Sequence, residues 1–152
     1  MKFKLEISAG GIVFRRHLSS GTIKTEWLVV QHSGHKGWVF PKGLVGDKKK
    51  GEQMEEAALR EVEEEGGVKA KIVYDTPVKV EYRYRFEDFL VKKIVYYFLM
   101  EYVSGDPANH DWEVLQAKFL PKAEVKKILT YPSDRDAFEK ILKVFREFLT
   151  NQ

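Results

Sequence analysis

The order of elements in this chain predicts a mixed α/β (α+β) fold in which helices cover a sheet that is largely antiparallel or mixed. Three observations predict it. Val78, Val80, Tyr82, Tyr84 and Phe86 alternate with Lys79, Glu81, Arg83, Arg85 and Glu87, the period of two expected of a half-buried strand. Residues 53–65 hold no Pro or Gly, are rich in Ala, Leu, Glu, Met and Gln, and stop at Gly66-Gly67, which reads as a short helix. Near the end, Phe138, Ile141, Leu142, Phe145 and Leu149 recur at helical spacing, an ordinary core-packing stripe.

In chain order, residues 3–16 read as a strand with Gly10-Gly11 marking a bulge or a close approach by another group. After the Ser19-Ser20-Gly21 loop, residues 26–32 form a second strand. A loop at 34–37 leads into Trp38-Val39-Phe40-Pro41-Lys42-Gly43, where Trp38 and Phe40 fall on one side of an extended segment, the core side. The helix follows, then a short strand at 70–74, the alternating strand at 78–86, a turn at 86–89 and a strand at 93–103 whose apolar run predicts burial on both faces. Beyond the loop at 105–109, residues 117–120 form a short strand and 123–129 a short helix. Tyr131-Pro132-Ser133 breaks that helix, and Ser133 is the expected cap of the last one, from 134 or 135 to about 149.

Composition sets bounds. At 152 residues the chain is one domain's worth, with no linker, repeat or low-complexity tract to divide it. It has no cysteine, which excludes disulfides and thiolate metal sites and suits a cytoplasmic protein. No apolar h-region opens it and no run nears the roughly 18 apolar residues of a membrane span, so neither secretion nor membrane association is expected. The net charge of +3 is small and the charged residues are evenly mixed in sign, which does not by itself call for nucleic acid.

The chemistry is carried by the helix at 53–65. Glu61, Glu64 and Glu65 stand at i, i+3 and i+4 and share a sector of roughly 100°. Met54, Ala58 and Val62 make a neighbouring apolar strip that can seat the helix while the acidic edge faces a cleft. Three carboxylates so close repel one another, and the last turn is the wrong end of a helix for them. A cation would remove the conflict, and carboxylate oxygens with water suit Mg²⁺ or Mn²⁺. Lys42, between Pro and Gly, is placed to meet a phosphate, and the tyrosine-rich hairpin could stack a ring on a base through Tyr82, Tyr84 or Tyr97.

The whole pattern resembles the signature of the Nudix hydrolases: glycine, five residues, glutamate, seven residues, Arg-Glu, an aliphatic residue, any residue, Glu-Glu, any residue, glycine, aliphatic. Gly46, Glu52, Arg60, Glu61, Val62, Glu64, Glu65, Gly67 and Val68 fill the fixed positions. Because Pro41-Lys42-Gly43 stands just upstream, the signature glycine is either Gly46 or, the reading favoured here, Gly43 followed by three extra residues. The resemblance implies the Nudix fold, an α/β/α sandwich with a mixed central sheet, over a single domain at 1–152. It also implies Glu64 and Glu65 as principal metal ligands, with the backbone at Gly43 facing the ion. Glu61 is then a ligand or the water-activating base, and Glu52 a further ligand or the structural partner of Arg60. An acidic residue outside the signature often completes such a site; Glu113 is the candidate, with Asp111 and Glu101 as rivals.

Within the family, residues 8–13, the Trp38 to Gly43 lead-in, the tyrosine hairpin and Trp112-Glu113 resemble the asymmetric diadenosine tetraphosphate hydrolases, which implies a dinucleoside polyphosphate cleaved to ATP plus AMP. Alternatives are diphosphoinositol polyphosphates, for which the Lys48 to Lys50 run would be the feature, RNA 5'-pyrophosphates and oxidised nucleoside triphosphates. From a different class comes a non-catalytic Nudix-like nucleotide-binding module, whose mark would be loss of signature carboxylates; none is lost here.

Overall fold

A computed structural model describes residues 1–46 and 48–152. The strands are β1 (Lys2–Ser19), β2 (Thr22–His32), β3 (Trp38–Val39), β4 (Lys42–Leu44), β5 (Val68–Ile72), β6 (Val78–Phe86), β7 (Phe89–Gly105) and β8 (Val114–Pro121), with helices α1 (Met54–Gly66), α2 (Lys122–Ile128) and α3 (Pro132–Thr150). All eight strands join one mixed sheet. β1 runs parallel to β7 from Lys2↔Phe89 to Phe14↔Glu101, and every other pairing is antiparallel.

β7 is the spine because its other edge pairs first with β6 and then with β5. Its residues 97–100 are consecutively buried, as the apolar run predicts for a strand covered on both faces. One face packs Ala9, Val13, Phe98 and Met100 against Ala58 and Val62 of α1. The opposite face packs Ile12, Phe14, Trp27, Val95, Tyr97 and Leu99 against Val125 of α2 and Phe138, Ile141 and Phe145 of α3. Helices on both faces of a mixed sheet give the α/β/α sandwich. No described helix is long and apolar enough to cross a membrane.

The structure selects close approach, one of the two readings of Gly10-Gly11, and departs from the sequence reading at Ser133, Trp38 and Leu149. β1 continues without a break through Gly10-Gly11, so these glycines serve close approach: a side chain at Gly10 would run into the Pro41 carbonyl, and one at Gly11 would sit 2.6 Å from the Met100 sulfur and 2.7 Å from Val62. Ser133 does not cap α3. The cap position is Tyr131 and Pro132 opens the helix, where a missing N–H costs nothing and the fixed φ favours the first turn. Trp38 is only half-buried, and Leu149, expected in the stripe, is exposed.

Candidate active site

The apolar strip of α1 seats it on the sheet, and Gly67 in the left-handed conformation (φ 75°) ends it, its N–H bonded to the Glu63 carbonyl. This leaves Glu61, Glu64 and Glu65 at the carboxyl-terminal end, with no basic residue in the last turn to meet the dipole. Arg60 supplies the nearest countercharge. Its Nε and Nη2 donate to the two oxygens of Glu52 at 2.7 and 3.0 Å, and its Nη1 donates to Glu61 at 2.7 Å and Glu64 at 3.1 Å. Glu52 also accepts from the Gly46 N–H at 3.3 Å. The Arg60 bond holds the Glu52 carboxyl below its ordinary value, and the carboxylates push Arg60 up.

Glu65 lies outside that knot. Its carboxylate accepts from the Lys42 N–H at 3.0 Å, and burial pushes its pKa up to about 8, with repulsion from Glu61 and Glu113 adding to the shift. Burial also raises Glu61 against the opposing pull of Arg60. Glu113 reaches the same place from another element. The Asp111 N–H donates to the Glu64 carbonyl at 2.8 Å, and the Asp111 carboxylate caps the Glu113 N–H at 3.0 Å, so the loop before β8 is pinned to the end of α1.

Glu61, Glu64, Glu65 and Glu113 line one recess of about 250 Å³, with Gly43, Lys42, Lys48, Lys93 and His32 also on its wall. A side chain at Gly43 would collide with the Glu61 carboxylate, so only glycine lets β4 pass this close; Gly46, at φ 81°, has open space around it. Among the described residues no group of three potential ligands stands ready to hold an ion, as Arg60 draws Glu61 and Glu64 to itself and Glu65 turns to the backbone. The donor set nevertheless fits a hard divalent cation: four carboxylates face one recess, two of them desolvated and repelled into raised pKa values.

A larger cleft of about 830 Å³ adjoins the recess and shares His35, Val39 and Lys42 with it. Tyr82 and Tyr84 of β6 form one wall; Tyr131, Pro132 and Ser133 at the start of α3 form another. His35 stacks on His32 with centroids 4.3 Å apart and 6° between planes. Its Nδ1 accepts from the Gly37 N–H at 3.0 Å and lies 2.9 Å from the Tyr131 hydroxyl. An accepting Nδ1 assigns the proton to Nε2, and partial desolvation, with His32 and then Lys42 adding to it, lowers the His35 pKa and favours the neutral ring.

Most of the residues singled out in the sequence come together here. Glu61, Glu64, Glu65, Glu113, Gly43 and Lys42 share the recess, Arg60 and Glu52 brace its edge, and Tyr82 and Tyr84 line the cleft. Tyr97 does not join them. It is buried beneath the cleft at 2% exposure, its hydroxyl 3.4 Å from Asp134 and its ring edge-on to Phe40, so it cannot stack on a ligand. Glu101 lies away from the recess, paired with Arg16 and Lys71. Sequence reasoning missed His32, His35, Lys93, Tyr131 and Asp134. A histidine two residues before a Gly-Trp and a tyrosine before Pro were visible as residue types, and only the fold brings them to one cleft.

Comparison with known proteins identifies the family. The NUDIX domain family matches residues 5–141. A Mycobacterium tuberculosis (strain CDC 1551 / Oshkosh) protein named as a mutator protein, MutT4, is 29% identical over 132 residues, covering 86% of this chain and 52% of its own length. Nudix hydrolase 6 of Arabidopsis thaliana is 41% identical over 106 residues, 65% of this chain and 35% of its own. The chain thus spans about half the length or less of these relatives. Among solved structures, a C. elegans Ap4A hydrolase in a binary complex superposes with a TM-score of 0.74 at 26% identity, over 97% of this chain and 99% of that one. The NUDIX domain of Shewanella oneidensis NrtR complexed with ADP ribose shares the fold at a TM-score of 0.63 and 22% identity, over 97% of this chain and 90% of that one. With a family match running from β1 into α3 and the signature residues gathered around one recess, this chain belongs to the NUDIX domain family.

Proposed function

We propose that this protein is a Nudix pyrophosphohydrolase that cleaves a nucleoside diphosphate linked to another moiety, and that its substrate is diadenosine tetraphosphate, hydrolysed asymmetrically to ATP and AMP. The observation that carries the reading is the joint between the two compartments, where His35, Val39 and Lys42 line both the aromatic cleft and the carboxylate recess. A base between Tyr82 and Tyr131 would send its phosphates across Lys42 toward the glutamates. The likeness to the C. elegans Ap4A hydrolase over nearly the full length of both chains supports this substrate class.

Each residue then has a task. Glu61, Glu64 and Glu65, with Glu113 and the Gly43 carbonyl, would hold Mg²⁺ or Mn²⁺. A cation bound there supplies positive charge to the phosphate oxygens and helps a water attack phosphorus. Arg60 fixes the orientation of Glu52, Glu61 and Glu64 through its fork. Lys42 and Lys93 meet the phosphate chain as ammonium groups, and the His35 Nε2–H donates to a phosphate oxygen. Water adds across one P–O–P bridge, the attacked phosphorus gaining the hydroxyl while the other phosphoryl group departs with the bridging oxygen.

Chromatography of products after incubation with diadenosine tetraphosphate and Mg²⁺ tests the reading. ATP plus AMP, abolished by EDTA, is the expected result. An intact dinucleotide beside turnover of an inositol pyrophosphate, a 5'-triphosphorylated RNA, a nucleoside triphosphate or ADP-ribose would overturn the substrate. No metal-dependent turnover of any of them would overturn the enzyme.

A further inference from the structure

We infer that Glu6, on the amino-terminal strand and outside both compartments, is a positioning residue that aims Lys93 at the phosphate chain. The inference rests on the proposed reading that Lys93 meets that chain. Strand register creates the arrangement. Glu6 of β1 is paired with Lys93 of β7, which is paired in turn with Tyr82 of β6, so the three form one row across adjacent strands, with Tyr84 two residues further along β6. Directly opposed residues on neighbouring strands share a face.

The Glu6 carboxylate joins this row. Its Oε1 accepts from the Tyr84 hydroxyl at 2.5 Å and lies 3.8 Å from the Lys93 ammonium, while its Oε2 lies 3.7 Å from Lys4. The Glu6 and Lys93 side chains are 14% and 16% exposed. Glu6 lines neither the cleft nor the recess, whereas Tyr84 lines the first and Lys93 the second. One carboxylate therefore ties a wall of the aromatic cleft to a cation of the phosphate recess.

Lys93 needs this tie. Its ammonium is partly desolvated and faces the charge of Lys42, and both conditions work against a charged, inward-pointing lysine. A four-carbon stem released from its partner turns its head toward water. Glu6 is the one carboxylate in salt-bridge range of Lys93 among the described residues, and it is itself held by Tyr84 and Lys4. Its negative charge also repels phosphate. Lys4 on the far oxygen opposes that repulsion, and the loss of aim is expected to dominate when Glu6 is neutralised.

Calorimetric titration of ATP and of adenosine, in EDTA so that no metal contributes, tests the inference with Glu6→Gln, Lys93→Met and the double variant. Glu6→Gln is expected to weaken ATP about tenfold, through loss of the mostly buried ion pair that aims Lys93, and to leave adenosine within about twofold. The double variant should bind ATP no more weakly than Lys93→Met alone, since Glu6 acts only through that lysine. Glu6→Asp, which keeps the charge but withdraws it, should fall in between and guards against a folding artefact. With diadenosine tetraphosphate, Glu6→Gln should raise KM while kcat stays within about threefold. If Lys93→Met binds ATP like the wild type, the reading of Lys93 itself falls. If Lys93→Met is weakened while Glu6→Gln is not, or if Glu6→Gln weakens adenosine as much as ATP, the positioning role of Glu6 falls.

Discussion

Replacing Arg60 by methionine tests the charge arrangement most directly. Methionine keeps the length of the stem and removes the fork. The Glu52 side chain, 2% exposed, then loses two hydrogen bonds of 2.7 and 3.0 Å and keeps only the Gly46 N–H at 3.3 Å, while Glu61, 7% exposed, loses its 2.7 Å bond. Removing one partner of a buried pair costs about 3 to 5 kcal/mol, and we take the low end, about 3, because Glu52 keeps a backbone donor and Arg60 itself is one-fifth exposed. For a chain of this size that is a fall in Tm of roughly 6 to 12 °C. Arg60 holds the folded Glu52 pKa below its unfolded value, so this stabilisation is present above the unfolded value and is lost as pH falls through the folded one. The assay is urea unfolding in EDTA at neutral pH, for Arg60→Met and for Arg60→Met with Glu52→Gln. The double variant should recover at least about 1 kcal/mol, as it no longer buries an unpaired charge at Glu52. A single variant within about 0.5 kcal/mol of the wild type would refute the reasoning and reduce Arg60 to a solvent-screened surface pair.

Other perturbations separate the parts of the site. Glu65→Gln removes charge and keeps size, so it should lower kcat/KM by about a hundredfold or more while circular dichroism stays that of the wild type; unchanged turnover would remove Glu65 from the metal site. Asp134 is buried and its pKa is raised, by desolvation foremost, so its contribution to stability is full below the unfolded pKa and is lost as pH rises through the folded value. Asp134→Asn should therefore gain on the wild type in urea unfolding as pH climbs from about 4 toward neutrality; a pH-independent difference would count against a strained carboxylate. Tyr82→Ala should raise KM for diadenosine tetraphosphate roughly tenfold, the worth of one stacked base, with kcat little changed. An equal effect on a substrate without a base would show that Tyr82 supports the fold instead.

What could be read in the sequence was local. The spacing of Glu61, Glu64 and Glu65 fixes their common face once the segment is helical, whereas the Arg60–Glu52 pairing, with Glu52 in the loop before α1, came from the family resemblance as one of two roles for Glu52. Glu113 needed the fold to bring it near the helix: the Asp111 N–H bond to the Glu64 carbonyl and the Ser33 N–H bond to the Glu113 carbonyl carry that loop to the recess. Tyr97 shows where periodicity fails. In a strand covered on both faces, Tyr96 and Tyr97 look alike, and the packing of α3 with Asp134 decides that Tyr97 points into the core. Lys93, His35 and Tyr131 were invisible for a different reason: they come from β7, a loop and the start of α3, and the parallel pairing of β1 with β7 that sets the Glu6–Lys93 row has no short-range signal.

On the proposed reading, the electrostatics of the two compartments would make binding of cation and substrate a joint event. The recess gathers Glu61, Glu64, Glu65 and Glu113 at the negative end of α1, and burial already holds Glu65 near a pKa of about 8. Arg60 reaches Glu52, Glu61 and Glu64 and makes no bond to Glu65, so Glu65 has no countercharge on its own helix and its buried carboxyl favours the proton until a cation takes its place. Lys42 and Lys93 line the same recess, and the charge of Lys42 adds to the desolvation that lowers the Lys93 pKa. A divalent cation alone would relieve the glutamates and worsen the field at the lysines; a polyphosphate alone would do the reverse. Bound together, each screens the other's unfavourable partner, so each should raise the other's affinity by the same factor. That reciprocity would follow from acids and lysines lining one recess, and metal affinity should then rise with the negative charge of the bound phosphate chain.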